Sequence, residues 1–164
     1  MIKLLVLDVD GCLTNGNIIY NNEGLETKHF DVKDGLGISS WIKLGNDVAI
    51  ITGRQSAIVA KRAHELGIKH LFQGVKEKDL VLNELLNSLA LSLDEVAAIG
   101  DDLNDYKMLQ SVAKSFTPQN GVSEIKEIVT TVLRKNGGDG AVREMIDILI
   151  QENNQKEKFM ALWI

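Results

Sequence analysis

Asp8-Val9-Asp10-Gly11 sets two carboxylates two positions apart, directly after the apolar run Ile2 to Leu7. Like charges a few ångströms apart repel, so two such groups beyond a buried strand need a cation to neutralise them. Read alone, the same four residues make a surface turn equally well. A second acidic cluster, Gly100-Asp101-Asp102-Leu103-Asn104-Asp105, follows the apolar run Val96 to Ile99. If the two runs are neighbouring strands, Asp8, Asp10 and Asp101 converge on one point. Acids without an accompanying His/Cys set suit magnesium, which takes hard oxygen ligands, better than zinc. Thr52-Gly53-Arg54 closes a third apolar run. A hydroxyl, a glycine that lets backbone N–H groups approach and a cation together suit a phosphoryl oxygen; in isolation they read as a helix N-cap followed by a surface arginine. Lys78 in Lys76-Glu77-Lys78 gains meaning only from this company. The joint chemistry is that of a phosphoryl group handled beside a divalent cation.

These residues need a frame that brings them together. Ile2 to Leu7, Val48 to Ile51, Val96 to Ile99 and, more weakly, Ser115 to Thr117 before Pro118 lack polar alternation, as strands buried on both faces do. Helical patterns lie between them: Gly35 to Leu44, Ser56 to Leu66 with Gly67 as C-cap, Asp79 to Leu91 with leucines along one face, Asp105 to Ala113, and Gly140 to Gln151. Alternating strands and helices predict an α/β fold with a parallel sheet and right-handed crossovers, whose ligand site lies beyond the carboxyl ends of the strands. Ile18 to Tyr20, the turn Asn21-Asn22-Glu23-Gly24 and Leu25 to Phe30 predict a β-hairpin inside the segment from about 17 to 31. One domain is expected over residues 1–152, followed by a tail over 153–164 that begins polar and ends apolar with Phe159, Met160, Leu162, Trp163 and Ile164.

Composition narrows the classes. The chain has 164 residues, enough for one core, with 45% apolar and 25% charged residues. A formal net charge of -5 leaves no general basic field of the kind nucleic-acid binders carry. No stretch approaches the roughly 20 apolar residues of a membrane span. The single cysteine, Cys12, allows no internal disulfide and reads as a small buried hydrophobe. The first apolar run is too short for a signal peptide core, so a cytoplasmic location is expected. His29, His64 and His70 show no ligand spacing.

The acidic pair, Thr52, Lys78 and the second acidic cluster, in this order over about 100 residues, resemble the four motifs of the haloacid dehalogenase superfamily. That resemblance implies a Rossmann-like three-layer sandwich and a phosphatase mechanism. Asp8 would be the nucleophile and Asp10 the general acid and base. Asp8, Asp101 and the Asp10 backbone carbonyl would hold magnesium, and Thr52 and Lys78 would bind the transferring phosphoryl oxygens. Asp102 and Asp105 would orient Lys78 or the waters of the metal. About 40 residues separate Asp10 from Thr52 and about 25 separate Thr52 from Lys78, which leaves no room for a cap domain. Asp31 to Ile38, Ala49 to Arg54, Gln73-Gly74 and Gly137 to Glu144 are similar to the 3-deoxy-D-manno-octulosonate 8-phosphate phosphatase family. This implies release of a sugar acid for lipopolysaccharide precursors, with Gly53, Arg54 and Arg143 as candidates to read the substrate. It also implies a homotetramer in which hairpins form a central barrel and tails reach a neighbour's site. Close alternatives are a phosphatase for a nine-carbon 2-keto-3-deoxy sugar acid 9-phosphate, and a non-catalytic tetramerisation module related to the tails of sialic acid cytidylyltransferases.

Overall fold

A computed structural model describes residues 1–164. Strand β1 (Leu4–Leu7) enters a wide, irregular turn over Val9–Leu13, and the hairpin β2 (Ile19–Tyr20) and β3 (Glu26–Thr27) follows. Next come α1 (Val32–Lys43), β4 (Asp47–Ile51), α2 (Ala57–Leu66), β5 (His70–Phe72), α3 (Lys78–Leu89), β6 (Val96–Ile99) and α4 (Tyr106–Ser111). The chain ends through β7 (Lys114–Thr117), α5 (Ser123–Lys126), β8 (Thr131–Val132), α6 (Ala141–Glu152) and α7 (Lys156–Met160).

Six strands form one sheet in the order β5-β4-β1-β6-β7-β8, and every pairing in it is parallel. The strand period of two divides the apolar runs between two cores. Leu5, Leu7, Val48, Ile50, Ala97 and Ile99 face the layer that contains Ile38, Val59 and Met145 from α1, α2 and α6. Leu4, Val6, Ala49, Ile51, Val96 and Ala98 face Leu82, Met108 and Ile125 from α3, α4 and α5. Burial on both faces is why these runs carry no polar alternation. The α/β three-layer expectation holds, and no cap domain stands over the sheet: only the hairpin intervenes between β1 and α1.

Three departures from the sequence pattern have local causes. Helix α1 begins at Val32 rather than Gly35, because Asp31 caps it by accepting the Lys33 N–H at 2.6 Å. Two glycines inside a helix lower its propensity, yet here they serve packing: a Cβ at Gly35 would lie 2.4 Å from Arg62 Nη2, and one at Gly37 3.0 Å from Arg143 Cδ. Strands β5 and β8 have no counterpart in the pattern. They are edge strands of three and two residues, and their partly exposed side chains give no apolar run. Helix α7 is the third departure. Its Phe159 is buried in the α1/α6 core, and Trp163 beyond it donates its indole N–H to Ser40 Oγ at 3.2 Å. In the single chain, residues 153–164 therefore turn back onto their own domain.

Candidate active site

Chain order sends β4 and β5 to one side of β1 and β6, β7 and β8 to the other. The carboxyl end of β1 is thus the switch point where open α/β sheets leave a crevice. Asp8 is the first residue past that end, and its N–H donates to the Ile99 carbonyl at 3.2 Å, which ties it to the end of β6. Asp10, Thr52, Gly53, Arg54, Asp101 and Asp102 join it around one cleft of about 270 Å³. Gly11 is required here: its φ is +97°, and a Cβ would fall 1.9 Å from Asp101 Oδ2. The first acidic loop thereby lies directly against the second.

Lys78 approaches from behind the cleft. It opens α3, its side chain is buried, and its Nζ lies 2.6 Å from both Asp8 Oδ1 and Asp105 Oδ1. The other Asp105 oxygen, Oδ2, accepts the Asp101 N–H at 3.1 Å. One carboxylate therefore fixes both the lysine and the backbone that carries Asp101. Asp102 remains exposed, and its carboxylate accepts the Leu103 N–H at 2.7 Å, so it shapes the turn before α4.

The electrostatics are unbalanced toward negative charge. Burial, with Asp105 and Asp101 nearby, pushes Asp8 up to about 7 even though Lys78 opposes the shift. Burial, then Asp105 and Asp102, pushes Asp101 up to about 7 as well. Burial works against the Lys78 charge, but Asp8 and Asp105 outweigh it and hold the ammonium above its ordinary range. One lysine cannot satisfy this cluster, and a divalent cation would. Donor atoms of Asp8, Cys12 and Asp101 all lie within 4.8 Å of one another. Burial followed by Asp8 and Asp101 raises the Cys12 thiol well above its usual value, and a protonated thiol is a poor ligand. What remains are hard oxygens, which fit magnesium.

Arg143 is not brought to this cleft. It lies on α6, where Nε donates to Asp147 at 2.8 Å and the guanidinium sits over the Phe159 ring. Its backbone N–H donates to Asp34 Oδ1 at 2.7 Å, so α1 supplies the cap that Gly140 cannot give to α6. The hairpin, in contrast, contributes residues that the motifs did not reveal. Lys28 Nζ lies 2.5 Å from Asp10 Oδ1 and 3.3 Å from Glu26 Oε1. Arg54 Nη1 donates to Glu26 Oε1 at 2.6 Å and lies 3.8 Å from Asp10 Oδ1. In the structure Glu26, Lys28 and Phe30 are partly covered, whereas Leu25, Thr27 and His29 are exposed; both sets mix polar and apolar residues, so the sequence carries no signal for them.

Comparison with known proteins agrees with this architecture. Residues 71–146 match the family of haloacid dehalogenase-like hydrolases. The chain is 40% identical over 156 residues to the 3-deoxy-D-manno-octulosonate 8-phosphate phosphatase KdsC of Yersinia pestis, covering 95% of this chain and 83% of that protein. It is 42% identical over 149 residues to KdsC of Escherichia coli K12, covering 91% and 79%. The crystal structure of the Moraxella catarrhalis enzyme of the same name, in complex with a magnesium ion, a phosphate ion and a KDO molecule, superposes with a TM-score of 0.96 at 42% identity, covering 99% of this chain and 94% of that one. The chain belongs to the 3-deoxy-D-manno-octulosonate 8-phosphate phosphatase family of haloacid dehalogenase-like hydrolases.

Proposed function

We propose that this chain is a magnesium-dependent phosphatase that hydrolyses 3-deoxy-D-manno-octulosonate 8-phosphate to the free sugar acid and phosphate, a step in lipopolysaccharide precursor biosynthesis. The observation that carries this reading is the meeting of Asp8, Asp10, Thr52 and Asp101 around one cleft, with Lys78 behind it, in a chain so similar to enzymes of that name.

Each residue would have a role in this reaction. The Asp8 and Asp101 carboxylates and the Asp10 backbone carbonyl would hold magnesium, which supplies positive charge against the phosphoryl oxygens. Asp8 lines the cleft, and Lys78 engages only its Oδ1, so Oδ2 would be the oxygen that attacks phosphorus. As the aspartyl-phosphate forms, the bond to the sugar oxygen breaks and Asp10 gives that oxygen a proton. Asp10 then takes a proton from water as the water attacks phosphorus, which releases phosphate and restores Asp8. Thr52 and Gly53, at the end of β4, face the same cleft and would hold phosphoryl oxygens. Lys78 keeps Asp8 oriented, and Asp105 keeps Lys78 oriented. Arg54, which lines the cleft and is held by Glu26, would meet a second anionic group of the substrate. Arg143 is held on α6 by Asp147 and does not line the cleft.

No cap domain covers the cleft. Ile18, Tyr20, Leu25, Val32 and Leu36 expose apolar side chains on the hairpin and the adjoining α1. A two-stranded ribbon of this length is marginal alone. Both features support a homotetramer built through the hairpin; a domain over 1–152, a tail over 153–164 and a cytoplasmic location belong to the same proposal.

A panel of phosphate esters assayed with magnesium and with chelator tests the function. Phosphate release should be fastest from the eight-carbon acid phosphate, should stop with chelator, and should be abolished by Asp8→Asn. Equal or faster turnover of the nine-carbon acid phosphate would overturn the substrate assignment. Metal-dependent activity that survives Asp8→Asn would overturn the nucleophile.

A further inference from the structure

The hairpin carries a buried cation that none of the motif residues explains. The Lys28 side chain is 1% exposed, so its ammonium is tolerated only because partners surround it. Those partners are Asp10 Oδ1 at 2.5 Å and Glu26 Oε1 at 3.3 Å. The same Glu26 oxygen accepts from Arg54 Nη1 at 2.6 Å, and Arg54 Nη1 also lies 3.8 Å from Asp10 Oδ1. Two cations thus converge on one oxygen of Asp10, and a single hairpin carboxylate tethers both. The hydrogen bonds and ion pairs of Asp10 all run through Oδ1, which leaves Oδ2 free. Asp10 itself faces the cleft, whereas Lys28 does not line it.

We propose that Lys28 is a positioning residue for Asp10: anchored by Glu26 on the hairpin, its ammonium holds Oδ1 and so presents Oδ2 to the ester oxygen that must leave. This inference rests on the reading of Asp10 as proton donor. A carboxylate on a loop has several rotamers, and proton transfer needs one of them within hydrogen-bond reach of the leaving oxygen. A cation clamp on one oxygen selects that rotamer. Because Lys28 is buried behind Asp10, it acts through that carboxylate and not by touching the substrate. The hairpin thereby enters the chemistry as well as any assembly, since its strand β3 carries Glu26 and ends one residue before Lys28.

The test compares two esters on the same preparation: the sugar acid phosphate, whose alkoxide must be protonated as it leaves, and p-nitrophenyl phosphate, whose phenolate leaves without a proton. Lys28→Met should lower kcat on the sugar phosphate by about tenfold or more, with KM within about twofold. Its loss on the aryl ester should be several-fold smaller. Lys28→Arg should restore most of the difference. The ratio of the two losses does not depend on the fraction of folded enzyme, so a destabilised variant remains informative. Equal losses in kcat/KM, which ends at departure of the leaving group and so excludes the water step that both esters share, would overturn the positioning role, as would a change carried by KM alone. Asp10→Asn in the same assay separates the two layers. If it shows the leaving-group selectivity and Lys28→Met does not, the lysine inference fails and the Asp10 reading stands. If Asp10→Asn lacks the selectivity, the reading of Asp10 fails first.

Discussion

Lys78 and Asp105 form an ion pair at 2.6 Å that is closed to solvent on both sides, and the same ammonium holds Asp8 at 2.6 Å. The lysine is the only counter-charge within this buried group of acids. Its removal leaves buried carboxylates uncompensated, which costs about 3–5 kcal/mol for a broken buried pair. We expect Lys78→Met to lose that order of stability in urea denaturation, and to lose about 100-fold or more in kcat. Asp105→Asn should cost less, about 1.5–3 kcal/mol, because Lys78 keeps Asp8. Equal stability losses in the two variants would show that Asp105, not Lys78, organises the group.

Magnesium should stabilise the fold as well as serve the reaction. Asp8 and Asp101 crowd each other within 4.8 Å, and a bound cation relieves that repulsion. At a hundredfold excess over Kd, a ligand of the native state adds about 2.7 kcal/mol. For a chain of this size that is a rise of roughly 5–10 °C in Tm. Thermal melts with magnesium and with chelator measure it. Asp101→Asn should abolish the increment while leaving the metal-free Tm equal or higher.

Asp34 gives the fold a pH dependence away from the cleft. Burial pushes its carboxyl up to about 7, partly offset by the Arg143 N–H that it accepts, and Oδ2 has no partner. Its folded value exceeds its unfolded one, so its contribution is complete below about 4 and is lost as pH rises through about 7. Asp34→Asn keeps an acceptor for the cap of α6 and removes the titration. Urea midpoints should show the variant gaining on the parent between pH 5 and pH 8.5, by an amount on the order of a few kcal/mol. A constant difference across that range would remove Asp34 as the cause.

The tail divides into an anchored part and a free end. Phe159 is buried among α1 and α6, while Ile164 is almost fully exposed. Phe159→Ala should destabilise the domain by about 3–5 kcal/mol, whereas removal of Ile164 should change stability by less than about 0.5 kcal/mol. If loss of Ile164 alters turnover without altering stability, the free end acts on a site and not on the fold.

Much of this protein was legible in its sequence, for a definite reason. A parallel strand buried on both faces must be apolar throughout, so Leu4–Leu7, Val48–Ile51 and Val96–Ile99 announce themselves without reference to any partner. Chain order then implies the switch point at β1, and charged residues placed just past such strands mark the crevice. Asp8, Thr52 and Asp101 are legible only as an ordered set with Lys78, since each fragment alone reads equally well as a turn or a helix cap. Short edge strands such as His70–Phe72 were not legible, because half-exposed residues carry no period strong enough to read.

What only the tertiary structure decided are the pairings between distant charges. The sequence contains 18 lysines and arginines, and nothing local distinguishes Lys28, buried against Asp10, from Lys61, exposed on α2. Arg143 looked as suitable for the substrate as Arg54, yet one lies on Asp147 and the other beside Asp10. Periodicity shows which face of an element is apolar. It does not show which loop folds over which strand end, and burial and charge pairing depend on that through-space packing.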